Sequence, residues 1–194
     1  QSVGIISVKI NYPSRGLNWL KLFLREELSL QLQLADRFSL FTPDTMSRWY
    51  KRDIEKGMIQ TNFSDRYSTV FTLLKTERLL ELSLQKVLSQ LYVRWDIRSI
   101  NGNKSVDNNH VWTTPDKLVK KLLSDLEDDP FFGKLTHFPQ GYSWSGVKSF
   151  YQWRLKPVPF PKSKEWQKHK EELEYLLLNH PSLGTSIIVC RAMM

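Results

Sequence analysis

Cations and aromatic rings, rather than nucleophiles or metal ligands, are the chemically equipped residues of this chain. Thr45, Ser47, Arg48, Lys51 and Arg52 fall within one stretch, TPDTMSRWYKRDIEKGMI, at Thr42–Ile59. Hydroxyl, guanidinium and ammonium donors at helical spacing suit the acceptor-rich edges of base pairs and the phosphates beside them. A second group spans Phe131–Trp166, where Phe131, Phe132, Phe138, Tyr142, Trp144, Phe150, Tyr151, Trp153, Phe160 and Trp166 alternate with Lys134, Lys148, Arg154, Lys156, Lys162 and Lys164. Rings that stack on bases and cations that follow phosphates are the ingredients of single-strand binding. Rings of this kind also fill cores, and the sequence leaves both readings open. The lysines of 156–170, with Lys156, Lys162, Lys164 and Lys168 foremost, are hard to place inside a core. They are expected to form a phosphate-contacting face or a docking surface for an acidic partner.

Catalytic chemistry has no comparable grouping. His110, His137, His169 and His180 never fall at the i, i+4 spacing of a helical metal site. The acidic run Asp125, Glu127, Asp128 and Asp129 could hold a divalent ion, yet it also reads as a solvated helix end before Pro130. Cys190 is the one cysteine, so neither a disulfide framework nor a cysteine metal site can be built, and a reducing, intracellular setting is expected. Phosphate-loop, dinucleotide and nucleophile-elbow signatures are absent. The expectation is a non-enzyme without metal or cofactor. A nuclease whose carboxylates converge only in space is a weaker alternative.

Charge favours a polyanion partner. The chain of 194 residues carries net +8 with a pI near 9.5, and residues 134–170 alone hold eight basic side chains against Glu165. Such clustering points to DNA or RNA before other partners. A hydrophobic share of 41% with 25% charged residues is that of an ordinary globular protein. No run approaches the roughly 20 apolar residues of a membrane span. The chain starts at Gln1, which leaves open that it is a segment of a longer protein.

The elements that must position these groups follow from periodicity. Gly4–Ile10 alternates as a strand, and Leu17–Leu30 has helical spacing, extended through the alternating Leu28–Leu34 because leucine and glutamine favour helix. Thr42, Pro43 and Asp44 start a helix that Gly57 ends. In it Met46, Trp49, Tyr50 and Ile54 form the inward stripe, leaving the polar and basic donors outside. Met58–Phe63 and Tyr67–Leu73 are expected to make a hairpin with Arg66 near its tip. Thr76–Leu91 predicts a leucine-rich helix, Tyr92–Ile100 a strand, and Asn101–Asn109 a loop and internal boundary. Thr114-Pro115-Asp116 starts a further helix. Phe131–Pro161 predicts two or three short strands, among them Val147–Leu155, before the extended Pro157–Pro161. A helix from about Lys164 to Asn179, capped by Ser163, and a strand at Thr185–Cys190 close the chain.

Residues 17–80 resemble the winged helix-turn-helix superfamily. In that likeness Leu32–Phe38 is the first helix, with Ala35 at the crossing and Leu34 and Phe38 inward; Ser39–Phe41 is the turn; and Thr42–Ile59 is the recognition helix. The run Ser64-Asp65-Arg66 before Val70-Phe71-Thr72-Leu73 is similar to the wing of MarR-type regulators. The resemblance implies a winged-helix DNA-binding domain over 1–100; the residues beyond it read as a basic, aromatic-rich α+β region over 101–194, mixed α/β with short antiparallel strands, so that the whole is expected to be an α+β protein. It also implies a transcription regulator or a replication, transposition or plasmid-maintenance factor, located in the cytoplasm and nucleoid or in the nucleus. Expected contacts are Thr45, Ser47, Arg48, Lys51, Arg52 and Arg66, joined by Lys156, Lys162, Lys164 and Lys168. DNA is the expected partner, with single-stranded DNA, RNA, a protein partner or a homodimer left open. The alternative is an adaptor or structural subunit whose winged helix contacts protein.

Overall fold

A computed structural model describes residues 2–10, 15–41, 48, 75–87, 90–99, 102–108, 114–135 and 141–180. The protein is of the α+β class. The described elements are strands β1 (Ser2–Ile10), β2 (Ser39–Phe41), β3 (Arg78–Val87), β4 (Gln90–Ser99) and β5 (Gly102–Asn108), and helices α1 (Asn18–Leu34), α2 (Pro115–Glu127), α3 (Trp144–Arg154) and α4 (Lys164–Asn179). The strands form one sheet in the order β2-β1-β3-β4-β5. β1 runs parallel to both neighbours, whereas β3, β4 and β5 form an antiparallel meander.

The strongest sequence signals produced the expected elements. β1 and β4 occupy the two alternating runs, and α1 continues as helix through Leu34. Thr114 accepts from the Lys117 N–H at 3.3 Å and caps α2, whose Leu118, Val119, Leu122, Leu123 and Leu126 are buried. Ser163 does the same for α4, accepting from the Trp166 N–H at 3.0 Å.

Elsewhere the structure corrects the sequence reading. Leu32–Phe38 is no separate helix: its first residues are the end of α1, and Asp36 takes a left-handed φ of 49° that stops the helix. Leu34 is exposed rather than inward, while Phe38 packs tilted against Phe131 and Phe132. Ser39–Phe41, expected as a turn, is β2, paired in parallel with Ser2–Gly4. The helix expected over 76–91 is β3. Leucine propensity favoured helix there, but Leu80, Leu82 and Leu84 oppose Ile97, Trp95 and Val93 across the β3–β4 ladder and bury one continuous face. The expected loop at 101–109 contains β5, which extends the same meander; Ser99 pairs with Gly102, so the boundary placed at residue 100 falls between two bonded strands. Val147–Leu155 is not a strand. Residues 147–154 lie in α3 and Leu155 follows as its C-cap; Val147, Phe150 and Tyr151 share a helical face, and Ser143 caps by accepting from the Gly146 N–H at 3.1 Å. Residues 181–194, including the expected strand at Thr185–Cys190, lie outside the described residues, as do 42–47 and 49–74.

Among the described residues, one hydrophobic cluster links β1, β3, β4 and helices α1, α2, α3 and α4. At its centre, Phe23 of α1 is fully buried and meets Tyr142, Trp144 and Tyr151 edge-on, at ring distances of 6.1, 6.3 and 5.7 Å. Around the periphery, Arg78 donates to Asp129 at 2.7 Å and lies 4.5 Å over the Phe131 ring, fixing the segment after α2 to the start of β3. Truncating Phe23→Ala removes the common partner of three rings and leaves a cavity, so it should destabilise the fold by about 3–5 kcal/mol. Urea unfolding checks this, and a loss under about 1 kcal/mol would contradict the central seam.

Candidate nucleic-acid interface

The connector from Lys156 to Ser163 and the first half of α4 carry the predicted lysines. Lys156, Lys162, Lys164 and Lys168 are exposed, as is Lys170. Lys156 is paired with Glu172 of α4. Lys162, Lys164 and Lys168 have no acidic partner within salt-bridge distance among the described residues. The first turn of α4 holds Lys164 beside Glu165, and Lys168 follows Lys164 one turn later on the same face, whereas Glu171, Glu172 and Glu174 lie beyond them. The N–H groups of that first turn add positive potential at the end of the helix where these lysines lie.

The connector is rigid by composition. Pro157, Pro159 and Pro161 have fixed φ, and Lys156, Val158 and Phe160 each precede a proline and are driven to extended backbone. It then turns sharply. The Ser163 N–H donates to the Phe160 carbonyl at 3.2 Å, with Pro161 at the second turn position and Lys162 at the third with φ of 67°. These are the marks of a type II turn, whose third position favours glycine. A lysine there carries roughly 1–2 kcal/mol of left-handed strain.

Aromatic burial settles most of the second candidate group. Phe132, Tyr142, Phe150, Tyr151 and Trp153 are core, and Phe131, Trp144 and Trp166 are half-buried. Phe160 is 89% exposed, with neighbouring Val158 at 72%. Trp153 serves the interface indirectly. Its ring stacks on His169 at 4.5 Å and its indole N–H donates to the His169 carbonyl at 3.1 Å, holding α4 against α3. The two helices also meet where α4 ends, beside His180: a Cβ on Gly146 would sit 2.9 Å from the His180 Nδ1. A cleft of about 170 Å3 lined by Asn18, Lys21, Leu22, Arg25 and Leu155 adjoins the start of the connector.

The first predicted contact group is represented by Arg48, which is helical and exposed. Thr45, Ser47, Lys51, Arg52 and Arg66, and both expected wing strands, lie outside the described residues. The acidic run after α2 is occupied with holding structure. Asp125 pairs with Lys121, Glu127 accepts from the Leu135 N–H at 2.5 Å, and Asp129 accepts from Arg78 and from the Phe131 N–H. Among the described residues no group of three or more potential ligands could hold a metal.

One ionisable cluster escaped the sequence reading. Glu27 is 1% exposed on α1, accepts from the Gln31 Nε2–H at 2.7 Å, and keeps Oε2 buried without a hydrogen-bond partner among the described residues. Burial raises its pKa from an ordinary 4.5 to about 7, the Gln31 hydrogen bond opposing and the charge of Asp116 adding to the rise. Nearby, the Tyr151 hydroxyl donates to Glu26 at 3.2 Å; burial, helped by the Glu26 charge, pushes its pKa well above 10. The helical i, i+4 pair Glu27–Gln31 was visible in sequence, but a glutamate beside Leu24 and Leu28 reads as surface until the helices close over it. Glu27 has no surface with which to meet a substrate, so its role is structural.

No protein-family model matches the chain, and no curated protein matches it. Among solved structures, the lipoprotein GNA1162 from Neisseria meningitidis is similar over 70% of this chain and 99% of that one, at 12% identity and a TM-score of 0.38. A likeness at that level carries no argument about fold or activity. Among the described residues, no helix is long and apolar enough to cross a membrane.

The buried glutamate makes a pH prediction. Its folded pKa lies above its unfolded value, so the native state is favoured where both forms are protonated. That contribution is complete below about pH 4.5 and is lost as pH rises through about 7, a span worth about 3 kcal/mol. Glu27→Gln should therefore flatten the decline in urea stability between about pH 5 and pH 8 and raise stability at the upper end. An unchanged slope would mean that Glu27 is not the group responsible.

Proposed function

We propose that this is a non-catalytic nucleic-acid-binding protein whose described contact surface is the basic corner at 156–170. The observation that carries this reading is the exposure of Lys162, Lys164 and Lys168 without acidic partners among the described residues, in the N-terminal part of α4 and the turn before it. A polyanion held there offsets the mutual repulsion of the lysines and meets the positive end of the helix dipole. Exposed, helical Arg48 supports a second contact region, to which Thr45, Ser47, Lys51, Arg52 and Arg66 belong if the winged-helix resemblance holds. DNA is the partner this reading puts first, in an intracellular regulator or in a replication, transposition or plasmid-maintenance factor.

A second reading, a protein adaptor, draws on Tyr175 and Leu178, which are 66% and 79% exposed on α4. Salt dependence separates the two. Each phosphate neutralised on a duplex contributes a slope of roughly −0.9 in the logarithm of affinity against the logarithm of salt. Replacing Lys162, Lys164 and Lys168 by glutamine should make that slope shallower by up to about three units and leave the unfolding midpoint nearly unchanged. DNA affinity that is weak from the outset and indifferent to the triple change would put the adaptor reading first.

A further inference from the structure

We propose that the corner at Pro159–Ser163 is a stacking site for an unpaired nucleic-acid base, with Phe160 as the ring and Lys162 as the cation for the adjoining phosphate. This rests on the nucleic-acid reading and narrows it. Three observations converge. Phe160 is 89% exposed while the other described rings of 131–166 are buried or half-buried in packing. The backbone carrying it is held extended by Pro159 and Pro161 and closed by the Ser163 N–H to Phe160 carbonyl bond, so little conformational freedom remains to be lost on binding. Lys162 occupies a left-handed position that glycine would fill without strain. Use of its side chain accounts for a lysine at that position.

The choice of single strand over duplex follows from the chemistry of stacking. Bases inside a duplex have both faces covered by their neighbours, so an exposed ring can stack only on a base that is unpaired or terminal. Two further lysines, Lys164 and Lys168, follow the ring in the chain, one helical turn apart on one face of α4, and supply phosphate contacts for the neighbouring nucleotides. A proline-recognising groove on another protein could also take Pro157–Pro161. Such a groove takes the connector alone and leaves the helical lysines unused.

The test uses the full chain, a labelled oligothymidylate, and the duplex that this strand forms with oligodeoxyadenylate, each titrated by fluorescence anisotropy. Phe160→Ala should weaken oligothymidylate binding roughly 5- to 150-fold, the worth of one stacked base, with an unchanged salt slope because the ring carries no charge. Duplex affinity should stay within about twofold, and Phe160→Trp should retain single-strand binding. Lys162→Gly should keep or raise the unfolding midpoint yet shallow the single-strand salt slope by about 0.7, one phosphate. If Phe160→Ala leaves oligothymidylate affinity unchanged while the lysine variants weaken it, the corner reads phosphate only: the stacking site is wrong and the nucleic-acid reading stands. If the unmodified chain binds neither probe, both fall.

Discussion

The basic corner depends on one contact, the Trp153 ring stacked on His169 with its indole N–H bonded to the His169 carbonyl. α4 buries only Leu173 and Leu176 as whole residues, both at the limit of burial, so its hydrophobic anchoring is slight. Trp153 and His169 therefore fix where the helix lies, and the Lys156–Glu172 pair closes the angle at the connector. Because exposed ion pairs contribute little, the aromatic contact is the stronger of the two. Trp153 is in turn held by Phe150, which is fully buried in the cluster shared with α1. A line of packed rings thus runs from the core to the surface on which the lysines are displayed.

Along that surface several local choices run against stability. Lys162 sits where glycine is favoured, and Phe160 and Val158 are left in water. None of these choices is needed to make a turn or a helix. Departures from local preference concentrate at sites selected for something other than folding. The acidic run after α2 behaves in the opposite way, since Asp125, Glu127 and Asp129 are all engaged in holding the chain together.

Where the chemistry of capping was explicit, the sequence was legible. Thr114-Pro115-Asp116 and Ser163 marked the starts of α2 and α4 correctly, because a side chain that accepts an orphan N–H acts locally. The alternation of Val93, Trp95 and Ile97 identified β4 for a similar reason. β3 and β5 were missed because their strand character comes from pairing with β4: leucine-rich 78–87 and polar 102–108 have no strong strand preference of their own. α3 was missed because Tyr151, Trp153 and Leu155 also alternate, and the half-exposure of Leu155 shows that the alternation does not describe the buried face. The lysines of the candidate site were legible as a cluster. That Phe160 would be the exposed ring was not, since exposure is decided by which rings α1 recruits into the core.

Lysine footprinting can show whether the corner at 156–170 holds nucleic acid. The full chain is acetylated with limiting reagent, with and without saturating oligothymidylate, and modification is read by mass spectrometry. Lys162, Lys164 and Lys168 should be protected, while Lys117 and Lys120, exposed on α2, react as before. Binding that leaves those three lysines as reactive as Lys117 and Lys120 would contradict the claim that the corner at 156–170 holds nucleic acid.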